Sequence, residues 1–368
     1  MKVALLSDCY PPRTGGIESQ VSDLAVHLLA AGHEVEVFTA TRGAKGERGG
    51  TVEIVDGVPV HRMALHLPGD VPVNPMAPPV VRARLQHGGF DIAHVHLGVV
   101  SPFAWDMARV ATGLGLPTAL TFHCVLDKAA LTLRPALRTW TGQGAVLSAV
   151  SEVAAKGVGH AAPGLPVGVV PNGIDPGAWP AGPVRFTARP LRVVTATRLA
   201  PRKRVGALLR VVADAHARLG PGALVLDVFG DGAMRALLES RSAALGLGDV
   251  VRWRGSVSRS ELAGHYRECD VYLSTTRLEA FGIAALEART AGLPVIARAD
   301  SGLAEVVTDG TSGLLAPDDA GLTDALVRLA ADATLRTRLA QHNVGTPPSQ
   351  TWGRVVDLVV AEYRRAGA

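Results

Sequence analysis

Two glutamates eight positions apart, Glu279 and Glu287, enclose the run Ala280-Phe281-Gly282-Ile283-Ala284-Ala285-Leu286. Phe281, Gly282 and Ile283 stand where a helix would begin, and the first amides of a helix can hold a phosphate. A carboxylate accepts hydrogen bonds from hydroxyl groups. Glu279, ahead of the helix, is placed to accept from sugar hydroxyls; Glu287, more than a turn inside it, can bind two ribose hydroxyls. Two glutamates on a solvated helix face are the ordinary alternative, and the residues around them make it unattractive. Upstream, Arg198 follows an apolar run, and Lys203 lies five residues on within Pro201-Arg202-Lys203-Arg204. This cluster is either a solvated basic turn or a diphosphate clamp, with Arg198 binding two oxygens and Lys203 acting as a point charge. A departing nucleoside diphosphate gains negative charge as the glycosidic bond breaks. Fixed cations there stabilise the transition state more than the ground state.

The first half carries two weaker signals. Gly15-Gly16 sits where a loop enters a helix, either as an ordinary flexible loop or as a backbone that approaches a phosphate closely. His123, in Thr121-Phe122-His123, follows a strand and is either a satisfied histidine or a hydrogen-bond partner for a transferred sugar. Gly230-Asp231-Gly232 reads as a tight turn near the nucleotide.

The elements that must position these groups alternate along the chain. Strands are predicted at Val3–Leu6, Glu34–Thr39, Ile54–Val55, Val60–Met63, Ile92–Val95, Thr118–Phe122, Ala145–Ala149 and Val167–Val170. A helix at Ile17–Ala31 carries Val21, Leu24, Ala25, Leu28 and Leu29 at helical spacing and ends at Gly32. The alternation halts at Pro171-Asn172-Gly173-Ile174-Asp175-Pro176, and a Pro/Gly-rich stretch runs on to Pro190. It resumes with strands at Arg192–Thr197, Val225–Phe229, Val250–Arg254, Val271–Leu273, Pro294–Ala297 and Gly313–Leu315. Helices are predicted at Val205–Leu219, Ala233–Ala244, Ser260–Glu268, Gly282–Ala291, Leu303–Thr308, Gly321–Leu339 and Thr351–Arg365. This is an α/β protein of two doubly wound, Rossmann-like domains facing a cleft, with ligands at the carboxyl ends of the strands.

Composition sets the outer limits. The chain has 368 residues, of which 48% are hydrophobic and 19% charged, enough for two cored domains and too few charges for disorder. Net charge is +4 without a Lys/Arg block, so no nucleic-acid module is indicated, while an anionic nucleotide or an anionic membrane surface would suit it. Cys9, Cys124 and Cys269 form no CxxC pair and read as thiols in a reducing cytoplasm. No run approaches the roughly 20 apolar residues that span a bilayer. The protein is expected to be cytoplasmic, or at most peripheral at the inner membrane face. The stretch 128–140 carries Lys128, Arg134 and Arg138 beside Leu131, Leu133, Leu137 and Trp140, with Pro135 inside it. It is either a membrane-docking surface or a basic helix packed on the sheet.

The ordered set Gly15-Gly16, Thr121 to His123, Pro171 to Asp175, Arg198 with Lys203, Gly230 to Gly232, and Glu279 through Glu287 resembles the retaining family 4 glycosyltransferases of the GT-B fold over essentially the whole chain. The Gly15-Gly16-Ile17-Glu18-Ser19 opening is similar to the phosphatidylinositol sugar transferases. The resemblance implies an acceptor-binding domain at 1–180 plus 350–368, a donor-binding domain at 181–349, and a final helix crossing back to the first domain. It implies His123, Arg198, Lys203 and Glu279 as catalytic residues. Gly15, Gly16, Gly230, Gly232, Val257, Phe281, Gly282, Ile283 and Glu287 would bind the donor, the base lying against Gly255 to Arg259. It implies a hexose moved with retention, no metal and no cofactor beyond the nucleotide-sugar substrate. The loop at Gly255 offers no carboxylate for guanine before Glu261, which favours a UDP-sugar over GDP-mannose. The acceptor is open among a lipid, a secondary metabolite and a polyol. Arg277 has no role in this reading. A nucleotide-sugar 2-epimerase of similar two-domain fold is the alternative activity; a dehydrogenase is disfavoured by the missing GxGxxG.

Overall fold

A computed structural model describes residues 1–67, 71–126, 130–184 and 190–368. They form two compact units, Met1–Gly173 with Gln350–Ala368, and Ile174–Ser349. In the first, the strands are β1 (Lys2–Ser7), β2 (Glu34–Thr39), β3 (Thr51–Val55), β4 (Val58–Arg62), β5 (Ile92–Leu97), β6 (Thr118–Phe122), β7 (Val146–Ala149) and β8 (Val167–Val169). They lie in the order β3-β4-β2-β1-β5-β6-β7-β8. β1 and β5 are buried almost throughout, which suits central parallel strands covered on both faces. The helices are α1 (Gly16–Ala30), α2 (Ala77–His87), α3 (Pro102–Gly113), α4 (Ala130–Gly142) and α5 (Glu152–Ala161). α1 buries Val21, Leu24, Ala25 and Leu28, and Gly32 follows it at φ 84, the left-handed conformation that ends a helix.

The sheet is not wholly parallel. β3 and β4 pair antiparallel across Asp56 and Gly57, whose φ values of 50 and 81 are both positive, as a two-residue type I′ hairpin requires. The Asp-Gly pair is the sequence signal for this turn, which βαβ alternation alone does not carry.

In the second unit the strands are β9 (Leu191–Ala196), β10 (Leu224–Phe229), β11 (Val251–Gly255), β12 (Val271–Leu273), β13 (Val295–Arg298) and β14 (Gly313–Ala316). All pair parallel, in the order β11-β10-β9-β12-β13-β14. The strand order reverses between β9 and β12, and crevices outside the carboxyl ends at such switch points receive ligands. Helices α6 (Val205–Leu219), α7 (Arg235–Ala244), α8 (Arg259–Tyr266), α9 (Ile283–Thr290), α10 (Asp319–Ala331) and α11 (Ala333–Gly345) cover the sheet.

Two expected helices are corrected. The helix foreseen at Leu303–Thr308 is a single 3-10 turn, Gly302–Glu305. Gly302 packs under the preceding loop: a Cβ there would stand 2.2 Å from the Ala280 carbonyl oxygen. The helix foreseen at Gly321–Leu339 is broken at Asp332, where φ −108 and ψ 87 leave the helical region. The Asp332 carboxylate accepts from the Leu335 amide 2.8 Å away and starts α11 anew. No glycine or proline marks that break.

The chain then returns to the first unit as α12 (Trp352–Arg365), whose Trp352, Val355, Val356, Val359 and Tyr363 are buried. Lys128 lies outside the described residues, as does the side chain of Leu131. On α4, Leu133, Leu137 and Trp140 are buried, and Trp140 meets Trp105 edge-on at 6.4 Å. These three apolar side chains are therefore packed inward. Among the described residues no helix is long and apolar enough to cross a membrane.

Candidate active site

At the switch point of the second sheet, β9 delivers Thr197 and exposed Arg198, and a 3-10 turn at Pro201–Lys203 follows. β12 delivers Ser274 through Glu279. The Lys203 ammonium donates to Glu279 Oε2 at 2.5 Å, both side chains being about four-fifths shielded from solvent at 19% and 20% exposure. A cation and a carboxylate are thus presented together, one suited to phosphate oxygens and the other to hydroxyls.

The main chain on either side is stitched. Thr276 Oγ1 donates to the Lys203 carbonyl at 3.3 Å, and Thr275 Oγ1 donates to the Arg204 carbonyl at 3.1 Å. Arg204 Nη1 returns a bond to the Thr275 carbonyl at 3.1 Å. Tyr272, on β12, donates to the Ala196 carbonyl at 3.3 Å. Burial and then the negative charges of Glu279 and Glu287 push its phenol up, so both glutamates act on the same buried hydroxyl.

Glycine serves close approach at two places. A Cβ on Gly230 (φ 112) would lie 2.0 Å from the Thr197 carbonyl oxygen, and one on Gly232 would lie 2.5 Å from that of Leu199. The Gly230–Gly232 loop therefore rests on the backbone flanking Arg198. The Gly230 amide also donates to Gly255 at 2.8 Å, which joins it to the loop bearing half-buried Val257. Gly282 (φ 87) is the residue before α9, and a Cβ there would meet Leu303 at 2.4 Å. No side chain caps α9, so its first turn presents positive potential outward beside Phe281 and Ile283.

Glu287 is buried inside α9, and Arg259 approaches its Oε1 at 3.6 Å while lying over the Trp179 ring, 5.7 Å from the centroid. Glu261 is committed elsewhere: it forms a capping box with Ser258, accepting from the Ser258 amide at 2.8 Å. Arg277 pairs with Asp300 at 3.4 Å.

The remaining sequence candidates belong to the first unit. Gly15 and Gly16 open α1 after β1; Gly15 is extended at φ 168, so its glycine is not demanded by backbone conformation. Arg13 pairs with buried Glu18 in the first turn, 3.4 Å apart. His123 follows β6, two strands from β1. The sequence reading passed over the residues behind it. His96 Nδ1 and His123 Nε2 are 3.0 Å apart, and His94 bonds Tyr363 at 2.9 Å and Thr121 at 2.7 Å. A cavity of about 20 Å³, room for one water, adjoins these three histidines, Gln20, Asn172 and Trp352. Burial pushes the imidazole of His94 down to about 3 and that of His123 to about 4, so both are neutral near pH 7. The alternation His94, His96 on a strand is the signal that could have found them, since residues i and i+2 share a face.

Comparison with known proteins identifies the family and the fold. The family described as "Glycosyltransferase Family 4" matches residues 14–178, and "Glycosyl transferases group 1" matches residues 184–343. The D-inositol 3-phosphate glycosyltransferase of Frankia alni is 31% identical, covering 96% of this chain and 95% of its own. That of Kineococcus radiotolerans is 30% identical, over 99% and 95%. Among solved structures, the sucrose-phosphate synthase of Thermosynechococcus elongatus superposes with a TM-score of 0.79 at 21% identity, covering 99% of this chain and 98% of that one. Anabaena HepE with UDP and glucose gives 0.75 at 18%, covering 98% of both. The chain belongs to the family 4 glycosyltransferases and has the GT-B fold of two Rossmann-like α/β domains. It is a glycosyltransferase.

Proposed function

We propose that this glycosyltransferase moves a hexose from a nucleoside-diphosphate sugar to a hydroxyl acceptor, with retention of anomeric configuration and without a metal. The observation that carries the reading is the Lys203–Glu279 pair at the carboxyl end of β9 and β12, next to the uncapped start of α9. The acceptor oxygen attacks the anomeric carbon as its bond to the diphosphate breaks, and the acceptor's proton passes to the departing diphosphate oxygen on the same face. Lys203, Arg198 and the α9 amides take up the charge that gathers on the diphosphate, the work a metal ion would otherwise do. Glu279 accepts from hydroxyls of the sugar, and Glu287 from those of the ribose.

UDP is favoured as the nucleotide because the carboxylate nearest the base loop, Glu261, is tied to Ser258 and not offered to guanine. HepE, of the same fold, binds UDP. On unit 1, Gly15 and Gly16 at the start of α1 are assigned to the donor and His123 to the transferred sugar. The acceptor reading rests on the relatives: they are named for D-inositol 3-phosphate, which makes a phosphorylated polyol the first acceptor to try. The test is thermal unfolding of the protein with UDP, GDP, ADP and their sugars. A nucleotide that binds the folded chain raises the midpoint by mass action. UDP and UDP-sugars are expected to raise it most; no response to any nucleotide would refute the donor site.

A further inference from the structure

Among the described residues, only Asp56 and Arg204 combine a positive φ with a side chain. Asp56 belongs to a hairpin turn that asks for it. Arg204, at φ 54 and ψ 32, closes the 3-10 turn that carries Lys203 and stands immediately before α6, where its side chain caps nothing. Glycine enters this conformation without strain, whereas a long side chain enters it at a disadvantage. An arginine here must hold something that a glycine would not.

Its guanidinium does. Nη1 donates to the Thr275 carbonyl and to Asp319 Oδ1, both at 3.1 Å, and Nη2 donates to Asp319 Oδ2 at 2.7 Å. Asp319 also faces Arg298 Nη1 at 3.7 Å. Arg298 grips Asp300 through two bonds of 2.9 and 2.8 Å, and Asp300 meets Arg277 at 3.4 Å. Five alternating charges, Arg204, Asp319, Arg298, Asp300 and Arg277, thus run from the lysine turn past the first residue of α10 and the end of β13 to the loop of Glu279. Both ends of the network touch the two segments that supply the Lys203–Glu279 pair.

We propose that Arg204 is a positioning residue for glycosyl transfer: it fixes the Lys203 main chain against Thr275 and Thr276, so that ammonium and carboxylate are already in register when the diphosphate departs. The proposal rests on the donor-site reading above. It explains why the position is not glycine: the strained backbone sets the direction of Lys203, and the planar fork, which matches a carboxylate with two bonds, anchors that direction to two neighbouring segments. Charges held in place before the reaction need no reorganisation during it, and displacements of about an ångström in such groups can lower rates about 100-fold.

The test uses the full chain, with UDP affinity measured by calorimetry and turnover measured as UDP released from UDP-glucose. Arg204→Gly removes the fork while relieving the backbone, so the variant should fold. Arg204→Lys keeps the charge, loses the fork and keeps the strain. Both are expected to lower kcat about tenfold or more with KM for the donor changed less than about threefold, and lysine is expected not to rescue. In a Lys203→Ala background, Arg204→Gly should lower the remaining turnover by less than about twofold, because the residue acts through Lys203. Full multiplication of the two effects would overturn the proposal, as would an Arg204→Gly enzyme with wild-type kcat. If Lys203→Ala itself leaves turnover and UDP affinity unchanged, the donor-site reading fails, and the positioning proposal fails with it.

Discussion

Lys203 and Glu279, 76 residues apart in the chain, meet Nζ to Oε2 at 2.5 Å. The pair sits at the topological reversal of the second sheet, each member on the first segment beyond its strand. Because neither side chain is fully buried, the pair is stitched in place by the backbone bonds of Thr275 and Thr276 as much as by mutual attraction.

Lys203→Ala is expected to lower turnover of UDP-glucose by about 100-fold, in the range lost when one preorganised charge-stabilising donor is removed. Glu279→Gln keeps the shape and loses the charge; it should lower kcat about tenfold or more while UDP, which lacks the transferred hexose, binds nearly as in the wild type. Calorimetry with UDP beside steady-state rates separates the two, and a large loss of UDP affinity in Glu279→Gln would move that residue from the sugar to the phosphates.

Two glycines should differ sharply in their tolerance of a methyl group. At Gly230 the added Cβ meets main-chain oxygen, which cannot step aside, whereas Gly246 (φ 70), in the turn that ends α7, has nothing within 4 Å. Gly230→Ala is expected to destabilise unit 2 by roughly 2–3 kcal/mol and Gly246→Ala by about 1 kcal/mol, from conformation alone. Denaturant midpoints of the two variants give the comparison, and equal losses would contradict the close-packing account.

Tyr363 on α12 reaches into the first sheet to bond His94, 269 residues earlier. Tyr363→Phe leaves a buried imidazole nitrogen without that partner and is expected to destabilise unit 1 by about 1–2 kcal/mol. Urea unfolding followed by a probe in unit 1 measures it; an unchanged midpoint would show that water in the adjoining cavity takes over the bond.

Acid should weaken unit 1. In the unfolded chain His94 and His123 take up protons near pH 6.5, but in the fold their values lie near 3 and 4. Between those limits the unfolded state binds more protons, so stability is complete above about pH 6.5 and falls as pH drops, flattening once the folded values are reached. Asp8 works the other way. Burial raises its carboxyl to about 6, so its contribution is present at low pH and is lost as pH rises through that value. Two histidines outweigh one carboxyl, and His96, also pushed well down by burial, adds to their side. The unfolding midpoint should therefore fall from pH 7 to pH 4.5, and fall further in Asp8→Asn, which lacks the opposing group. A midpoint that holds steady across that interval would show the histidines to be solvated.

What the sequence disclosed, and what it withheld, follows from the range of the interactions. The β1 run, the α1 stripe from Val21 to Leu28 and the Glu279-to-Glu287 element are local patterns, written within a dozen or so residues, and the architecture followed from repeating them. The partner of Lys203 was not local, and neither was the bidentate hold of Asp319 on Arg204, 115 positions away. Arg277 looked unassigned because Asp300 lies beyond a strand and a helix. The break at Asp332 escaped because its signal is a carboxylate folding back on an amide, which aspartates within intact helices do not advertise. At 128–140 periodicity defined an apolar face without saying what covers it, and the burial of Leu133, Leu137 and Trp140 is what the structure adds.

The return of α12 to the first unit also has a consequence for how the protein is made. During synthesis the 173 residues of the leading segment emerge first, yet their core lacks Trp352, Val355, Val359 and Tyr363 until 176 intervening residues have been added. The second unit, encoded without interruption, has every residue it needs to close first. At roughly 5–20 residues per second, the earlier unit waits on the order of ten seconds or more with an apolar groove unfilled. The portion of the chain born first is the one completed last, and chaperone demand during translation should centre on that interval.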